Sequence, residues 1–160
     1  MIKITKYDGN KKAFVKFLED LQDYIIQVDP LKRFVRLPGY GERYADELIE
    51  QVSKQNGVIY FAEDENIPVG IIVGIIEELT EKDLLECVPS KIGTILQLIV
   101  SEEARGKNIG SLLIKSIEEY FLSQKCDVVY VGVVEPNKRA REFYEKKGYQ
   151  NRIMTLMKKI

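Results

Sequence analysis

Between residues 94 and 134 the chain changes its apolar period twice, and that order of periods restricts its topology more than any other feature. Residues 94–100, T-I-L-Q-L-I-V, read as a strand. A polar stretch containing Gly106 and Gly110 follows. Ile109, Leu112, Leu113, Ile117, Tyr120 and Phe121 then recur at helical spacing along one stripe. Residues 128–134 are nearly all apolar, which predicts a strand buried on both faces. A strand, a helix and a strand in that order make a parallel pair joined by a right-handed crossover.

The rest of the chain supplies partners for that unit. Residues 2–7 alternate apolar and polar, which predicts a first strand. Asp8 and Asn10 can cap a helix whose stripe is Phe14, Phe17, Leu18, Leu21, Ile25 and Val28, with Pro30 closing it. Residues 32–41 carry Pro38 and two glycines and read as a loop. Ala45, Leu48, Ile49 and Val52 mark a second helix that stops near Asn56 and Gly57. Residues 58–62 and 67–76 flank a polar turn and form an antiparallel hairpin. Residues 80–89 are acidic and fit a short helical turn within a loop. Ala140, Phe143 and Tyr144 mark a short fourth helix ended by Gly148, and residues 149–158 read as a last strand. The order is β-α-α-β-β-β-α-β-α-β. It predicts an α/β (α+β) fold with a mixed, mostly antiparallel sheet and helices on both faces. No repeat or linker divides the chain, so residues 1–160 are expected to be a single domain.

Composition removes several chemistries. There is no histidine, which excludes Ser-His-Asp and Cys-His catalysis and the usual mixed zinc sites. Cys87 and Cys126 are too few for a disulfide framework or a metal cluster, and read as reduced core thiols. The 24 basic residues are balanced by 25 acidic ones, so no nucleic-acid partner is expected. The start of the chain lacks the pattern of a signal peptide. The longest apolar stretch, residues 67–76, is interrupted by Pro68, Gly70 and Gly74 and is too short to span a bilayer. A soluble, cytoplasmic protein with no membrane partner and no metal is expected.

Chemistry concentrates in residues 96–113, L-Q-L-I-V-S-E-E-A-R-G-K-N-I-G-S-L-L. A strand runs into a loop that opens directly into a helix. The first N–H groups of a helix have no internal partner, and the helix dipole adds partial positive charge there. Glycines let the backbone approach a diphosphate closely, and Arg105 and Lys107 add charge. The arrangement is an anion cradle; the alternative is a loop that merely caps its helix. It lacks the Gly-Lys-Ser/Thr of a triphosphate loop, and its spacing is not that of a dinucleotide loop.

This segment resembles the acetyl-CoA signature of the GCN5-related N-acetyltransferases, Arg/Gln-x-x-Gly-x-Gly/Ala, with Arg105, Asn108 and Gly110 at the defining positions. Asn108 stands where glycine is usual; asparagine tolerates the left-handed region better than most residues. Downstream, residues 128–149 are similar to the family's strand-Asn-x-x-Ala-x-x-Phe-Tyr-x-x-x-Gly-Tyr pattern. The resemblance implies that the two parallel strands splay apart and admit the pantetheine arm of acetyl-CoA, which is used as co-substrate. Leu98, Ile99 and Val100 would then flank that arm. Arg105, Gly106, Lys107, Asn108, Ile109, Gly110 and Ser111 would hold the diphosphate, and Asn137 would reach the pantetheine or cap the fourth helix. Tyr144 would protonate the departing thiolate, although an aromatic at that spacing can simply pack.

The implied reaction is direct acetyl transfer to a primary amine in a ternary complex, without an acyl-enzyme. The alternative is a non-catalytic acyl-CoA sensor of the same fold. Many members carry a glutamate on the strand where this chain has Gln97, which leaves Glu77, Glu78 and Glu135 at strand ends. Of these, Glu77 and Glu78 are the candidates for the base. The family's acceptor wall comes from the first two helices, here with Arg33, Arg36, Tyr40, Glu42 and Tyr44. They are compatible with a small-molecule or peptide amine. Pairing of exposed final strands, common in the family, makes a homodimer an expected possibility.

Overall fold

The computed structural model describes residues 1–158. Five strands and four helices run in the order β1 (Ile2–Lys6), α1 (Lys11–Val28), α2 (Tyr40–Lys54), β2 (Val58–Asp64), β3 (Ile67–Glu78), β4 (Lys91–Val100), α3 (Ile109–Ser123), β5 (Val128–Val131) and α4 (Lys138–Glu145). Short 3-10 turns lie at Asp83–Leu85 and Glu102–Ala104. The sheet order is β1-β2-β3-β4-β5; all neighbours are antiparallel except β4 and β5, which are parallel. The mixed, mostly antiparallel sheet is the one expected.

Alternation along β3 divides the interior into two layers. Ile71 and Val73 face α1 and α2, where they pack with Phe14, Phe17, Leu18, Ala45 and Leu48. Ile72 and Ile76 face α3, where they meet Leu113, Ile114, Ile117 and Phe121. The Phe121 ring is seated over two glycines: a Cβ on Gly93 would lie 2.4 Å from it, and one on Gly74 would lie 2.6 Å from it. The start of α1 is fixed by a cap, Asn10 Oδ1 accepting from Ala13 N at 3.2 Å.

Asp29 ends α1 and organises the loop beyond it. Its buried carboxylate accepts from the backbone N–H groups of Arg33 (2.6 Å), Leu31 (3.0 Å) and Phe34 (3.4 Å). The Arg33 N–H above all holds this carboxyl below the usual carboxylate range. A lowered acid contributes stability above its unfolded pKa of about 3.9, and that contribution is lost as pH falls through the folded value. Asp29→Ala is expected to leave the sheet intact while the amides of Leu31, Arg33 and Phe34 lose protection from hydrogen exchange. Unchanged protection at those amides would show that the loop is held by something else.

The feature that positions the site is a bulge in β4. Val73 pairs with Gln97 and Gly74 with Ile95, so Leu96 stands opposite no residue of β3. A bulge bends its strand and increases the local twist. On the other edge, β4 pairs with β5 only from Ile92↔Val128 to Ile95↔Val131. The two parallel strands therefore part at the bulge, leaving residues 96–100 without a partner on that side among the described residues.

Two expectations are corrected. Residues 149–158 form no strand, and Ile153, Met154, Leu156 and Met157 are exposed. Weak alternation is not enough for a strand when no neighbour completes the ladder. As a consequence, β5 is the edge of the sheet; it stops at Val131 and is half-exposed rather than buried on both faces.

Candidate active site

At the point where β4 leaves β5, the chain turns through Glu102–Ala104 into the loop before α3. Gly106 has φ 80°, and Asn108, directly preceding the helix, has φ 63° and ψ 11°. Both need the left-handed region, which glycine and asparagine reach at low cost. Asn108 makes no side-chain cap bond, and its carbonyl accepts from Ser111 N at 3.1 Å and Leu112 N at 3.2 Å. The backbone N–H groups of residues 106–110 have no protein acceptor among the described residues. Five consecutive donors at the positive end of a 15-residue helix are the chemical complement of a diphosphate.

Gly110 is small for a separate reason. A Cβ there would lie 3.3 Å from the Phe143 ring, which would have to give by a few tenths of an ångström to admit it. That contact carries α4 to the same place. Asn137 is the N-cap of α4, its Oδ1 accepting from Ala140 N at 3.1 Å. Two turns on, Tyr144 is buried at 8% exposure, edge-on to Phe143 and Tyr149 at 5.4 Å each. Its hydroxyl has no hydrogen-bond partner among the described residues. Yet no side-chain oxygen or nitrogen among them is both sealed and unpartnered. The hydroxyl therefore opens into the neighbouring cleft, and burial of the ring pushes the phenol well above its usual acidity range.

The cleft has a volume of about 1170 Å³ and passes around the free end of β4, with α1 on one side and the α3 loop and α4 on the other. Leu98, Ile99, Val100, Arg105, Gly106, Lys107, Asn108, Ile109, Gly110, Ser111, Asn137 and Tyr144 all line it. Every residue expected to meet the cofactor is thus brought to one place by the bulge and the crossover. The floor is the unpaired backbone of β4, and a strand edge of this kind can pair with an amide-bearing chain.

Other residues lie elsewhere. Glu77 and Glu78 do not line the cleft. Glu77 is half-buried and accepts a close hydrogen bond from the Thr94 hydroxyl, two residues before the bulge, whereas Glu78 is exposed. Glu135 and Arg141 pair at 2.8 Å, and Glu42 pairs with Lys11 at 3.1 Å. Arg33 is exposed in the α1–α2 loop, and Arg36 makes a two-pronged contact with Asp23 at 2.7 and 2.9 Å. Tyr44 accepts from Gln97 Nε2 at 2.7 Å, tying α2 to β4 one residue after the bulge. The Tyr40 ring lies tilted beside that of Tyr44, centroids 5.5 Å apart, and burial pushes its phenol up to about 12. Sequence reasoning missed Tyr24, which lines the cleft from α1. Its only signal is position: it lies three residues after Leu21, on the border of the apolar stripe.

A donor-rich loop, a splayed parallel pair and a buried phenol in one cleft is the arrangement that the acetyl-CoA signature implied. The sequence profile of the acetyltransferase (GNAT) family matches residues 19–149. The chain belongs to that family. An uncharacterized N-acetyltransferase of Methanocaldococcus jannaschii is 38% identical over 61 residues, which span 38% of this chain and 39% of that relative. The BH1408 protein of Bacillus halodurans, solved as a tetramutant, superposes with a TM-score of 0.85 at 18% identity, covering 99% of each chain. AAC(6')-Iy, solved with the bisubstrate analogue CoA-S-monomethyl-acetylneamine, superposes with a TM-score of 0.65 at 12% identity, covering 100% of this chain and 99% of its own. These two structural likenesses show a shared fold. Among the described residues, no helix is long and apolar enough to cross a membrane, and no three His, Cys, Asp or Glu side chains are grouped as metal ligands.

Proposed function

We propose that this acetyltransferase moves the acetyl group of acetyl-CoA to a primary amine by direct transfer in a ternary complex. The observation that carries the reading is the pairing of five unsatisfied N–H groups with the Tyr144 phenol along one cleft. Residues 106–110 would bind the diphosphate through those donors, with Arg105 and Lys107 adding positive charge. The open edge of β4 at residues 98–100 would pair with the amide-bearing pantetheine arm, directing the thioester toward the bulge. Asn137 has its oxygen engaged in capping, which leaves its NH2 to donate to that arm.

The amine nitrogen attacks the thioester carbon, a C–N bond forms and the C–S bond breaks. The departing thiolate takes the Tyr144 proton and the surplus proton of the new amide nitrogen restores the phenol, the substrate ammonium having first given up one proton to a base. Glu77 is favoured over Glu78 as that proton's final acceptor, because it is half-buried and bonded to Thr94 on β4. Since neither lines the cleft, that transfer would run through the Thr94 hydroxyl or water. Tyr40, Tyr44 and Gln97 would form part of the acceptor wall. We further propose that residues 1–160 act as one cytoplasmic domain. The exposed edge of β5 and the exposed apolar residues Ile153, Met154, Leu156 and Met157 favour a homodimer.

Calorimetric titration with acetyl-CoA tests the reading, with desulfo-CoA and ATP as controls. Stoichiometric binding of acetyl-CoA, followed by thiol release when amines are supplied, is expected. A folded protein that does not bind would refute the proposal, and binding without turnover on any amine would favour the sensor.

A further inference from the structure

Tyr24 belongs to neither hydrophobic cluster, yet its side chain is directed at polar groups across the cleft. We propose that Tyr24 is a positioning residue for acetyl-CoA: from α1 it holds Asn137 and Arg105, both on the opposite wall of the cleft, in their binding orientations. The inference rests on the functional reading above.

The Tyr24 hydroxyl donates to Asn137 Oδ1 at 3.4 Å, and the same oxygen accepts from Ala140 N at 3.1 Å. Two donors occupy both lone pairs of that oxygen, which fixes the plane of the amide and leaves only its NH2 for a ligand. The Tyr24 ring lies beneath the Arg105 guanidinium, 5.8 Å from its centroid. Arg105 is also held by the Val100 carbonyl, to which its Nε donates at 3.3 Å, and by Glu102 at 3.7 Å. A flexible side chain at the mouth of the cleft is thereby restrained on three sides.

The position of Tyr24 is itself secured. In the same turn of α1, Gln22 Nε2 donates to the Val35 carbonyl at 2.8 Å and Asp23 holds Arg36. The backbone that carries the phenol is braced against the α1–α2 loop before any ligand arrives. Restraint before binding lowers the entropy lost on binding, which is how a residue can raise affinity while acting through its neighbours.

The two contacts separate by mutation. At 3.4 Å the hydroxyl contact is long for an O–H···O bond, so its removal should be the milder change. Tyr24→Phe is expected to weaken acetyl-CoA binding by about two- to fivefold. Tyr24→Leu also removes the face beneath Arg105 and should weaken binding by about tenfold or more in total. In an Asn137→Ala background, Tyr24→Phe should have no further effect, because the partner is gone. Without ligand, the side-chain amide resonances of Asn137 should shift in Tyr24→Phe while the melting temperature stays close to the starting protein.

Unchanged affinity and unchanged Asn137 resonances in Tyr24→Phe would overturn the inference while leaving the functional reading standing. Additive losses in the double variant would also overturn it, since Tyr24 would then act independently of Asn137. If the unaltered protein fails to bind acetyl-CoA, the functional reading falls and takes this inference with it.

Discussion

Tyr144→Phe is expected to lower turnover by about a hundredfold or more, the usual range for loss of a positioned proton donor, while acetyl-CoA affinity stays nearly unchanged. The substitution removes one oxygen and keeps the ring. Packing edge-on against Phe143 and Tyr149 should survive, so a loss of activity could not be assigned to unfolding. The pH dependence adds a second criterion. Burial raises the phenol above its ordinary value of 10, so the proton is retained as pH rises through neutrality and beyond. Turnover should therefore show no alkaline limb from this residue below about pH 10. A higher pKa also makes a phenol a poorer acid toward a thiolate in water. In the proposed reaction the thiolate would be desolvated in the cleft too, and the same burial would raise the affinity of the sulfur for a proton. Steady-state kinetics of both proteins between pH 6 and 10 decide the matter. A variant with undiminished turnover would reduce Tyr144 to a packing residue.

Phe121→Ala should cost about 3–5 kcal/mol of folding stability, read from urea unfolding of the two proteins. The ring is 1% exposed and lies against Gly93 of β4 and Gly74 of β3. Glycines have no side chain to move into the vacated space, and the sheet backbone is tied on both sides, so the void should persist. The converse change supplies an internal control. Gly93→Ala alone would place a Cβ 2.4 Å from the ring and should destabilise the protein, whereas in the Phe121→Ala background the added methyl has room. A loss below about 1 kcal/mol for Phe121→Ala would mean that the layer collapses around the change.

Much of this architecture was readable because periodic burial leaves a periodic sequence. The crossover from β4 through α3 to β5 follows from a strand, a stripe and a strand in succession. The hairpin of β2 and β3 follows from two β-rich runs around Asp64, Glu65 and Asn66. The loop before α3 was legible for a related reason: left-handed backbone restricts the choice of residue, and Gly106 and Asn108 stand at those angles. Asn10 and Asn137 cap helices as their positions implied. Residues 128–134 show the limit of such reasoning. An apolar run reports a tendency to be covered, but the cover must come from another segment, and here residues 149–158 do not supply it.

By itself the sequence determined the order of elements as far as α4, the parallel crossover from β4 to β5 and the residue types at the left-handed positions of the loop before α3. Each depends on local spacing, capping or permitted backbone angles, which neighbouring residues carry. Only the tertiary structure decided that β4 bulges at Leu96, that β5 ends beside it at Val131, and that Tyr24 reaches Asn137 from 113 residues away. Those outcomes depend on register and on long-range packing, where the energy of a position is set by residues that chain neighbours do not specify.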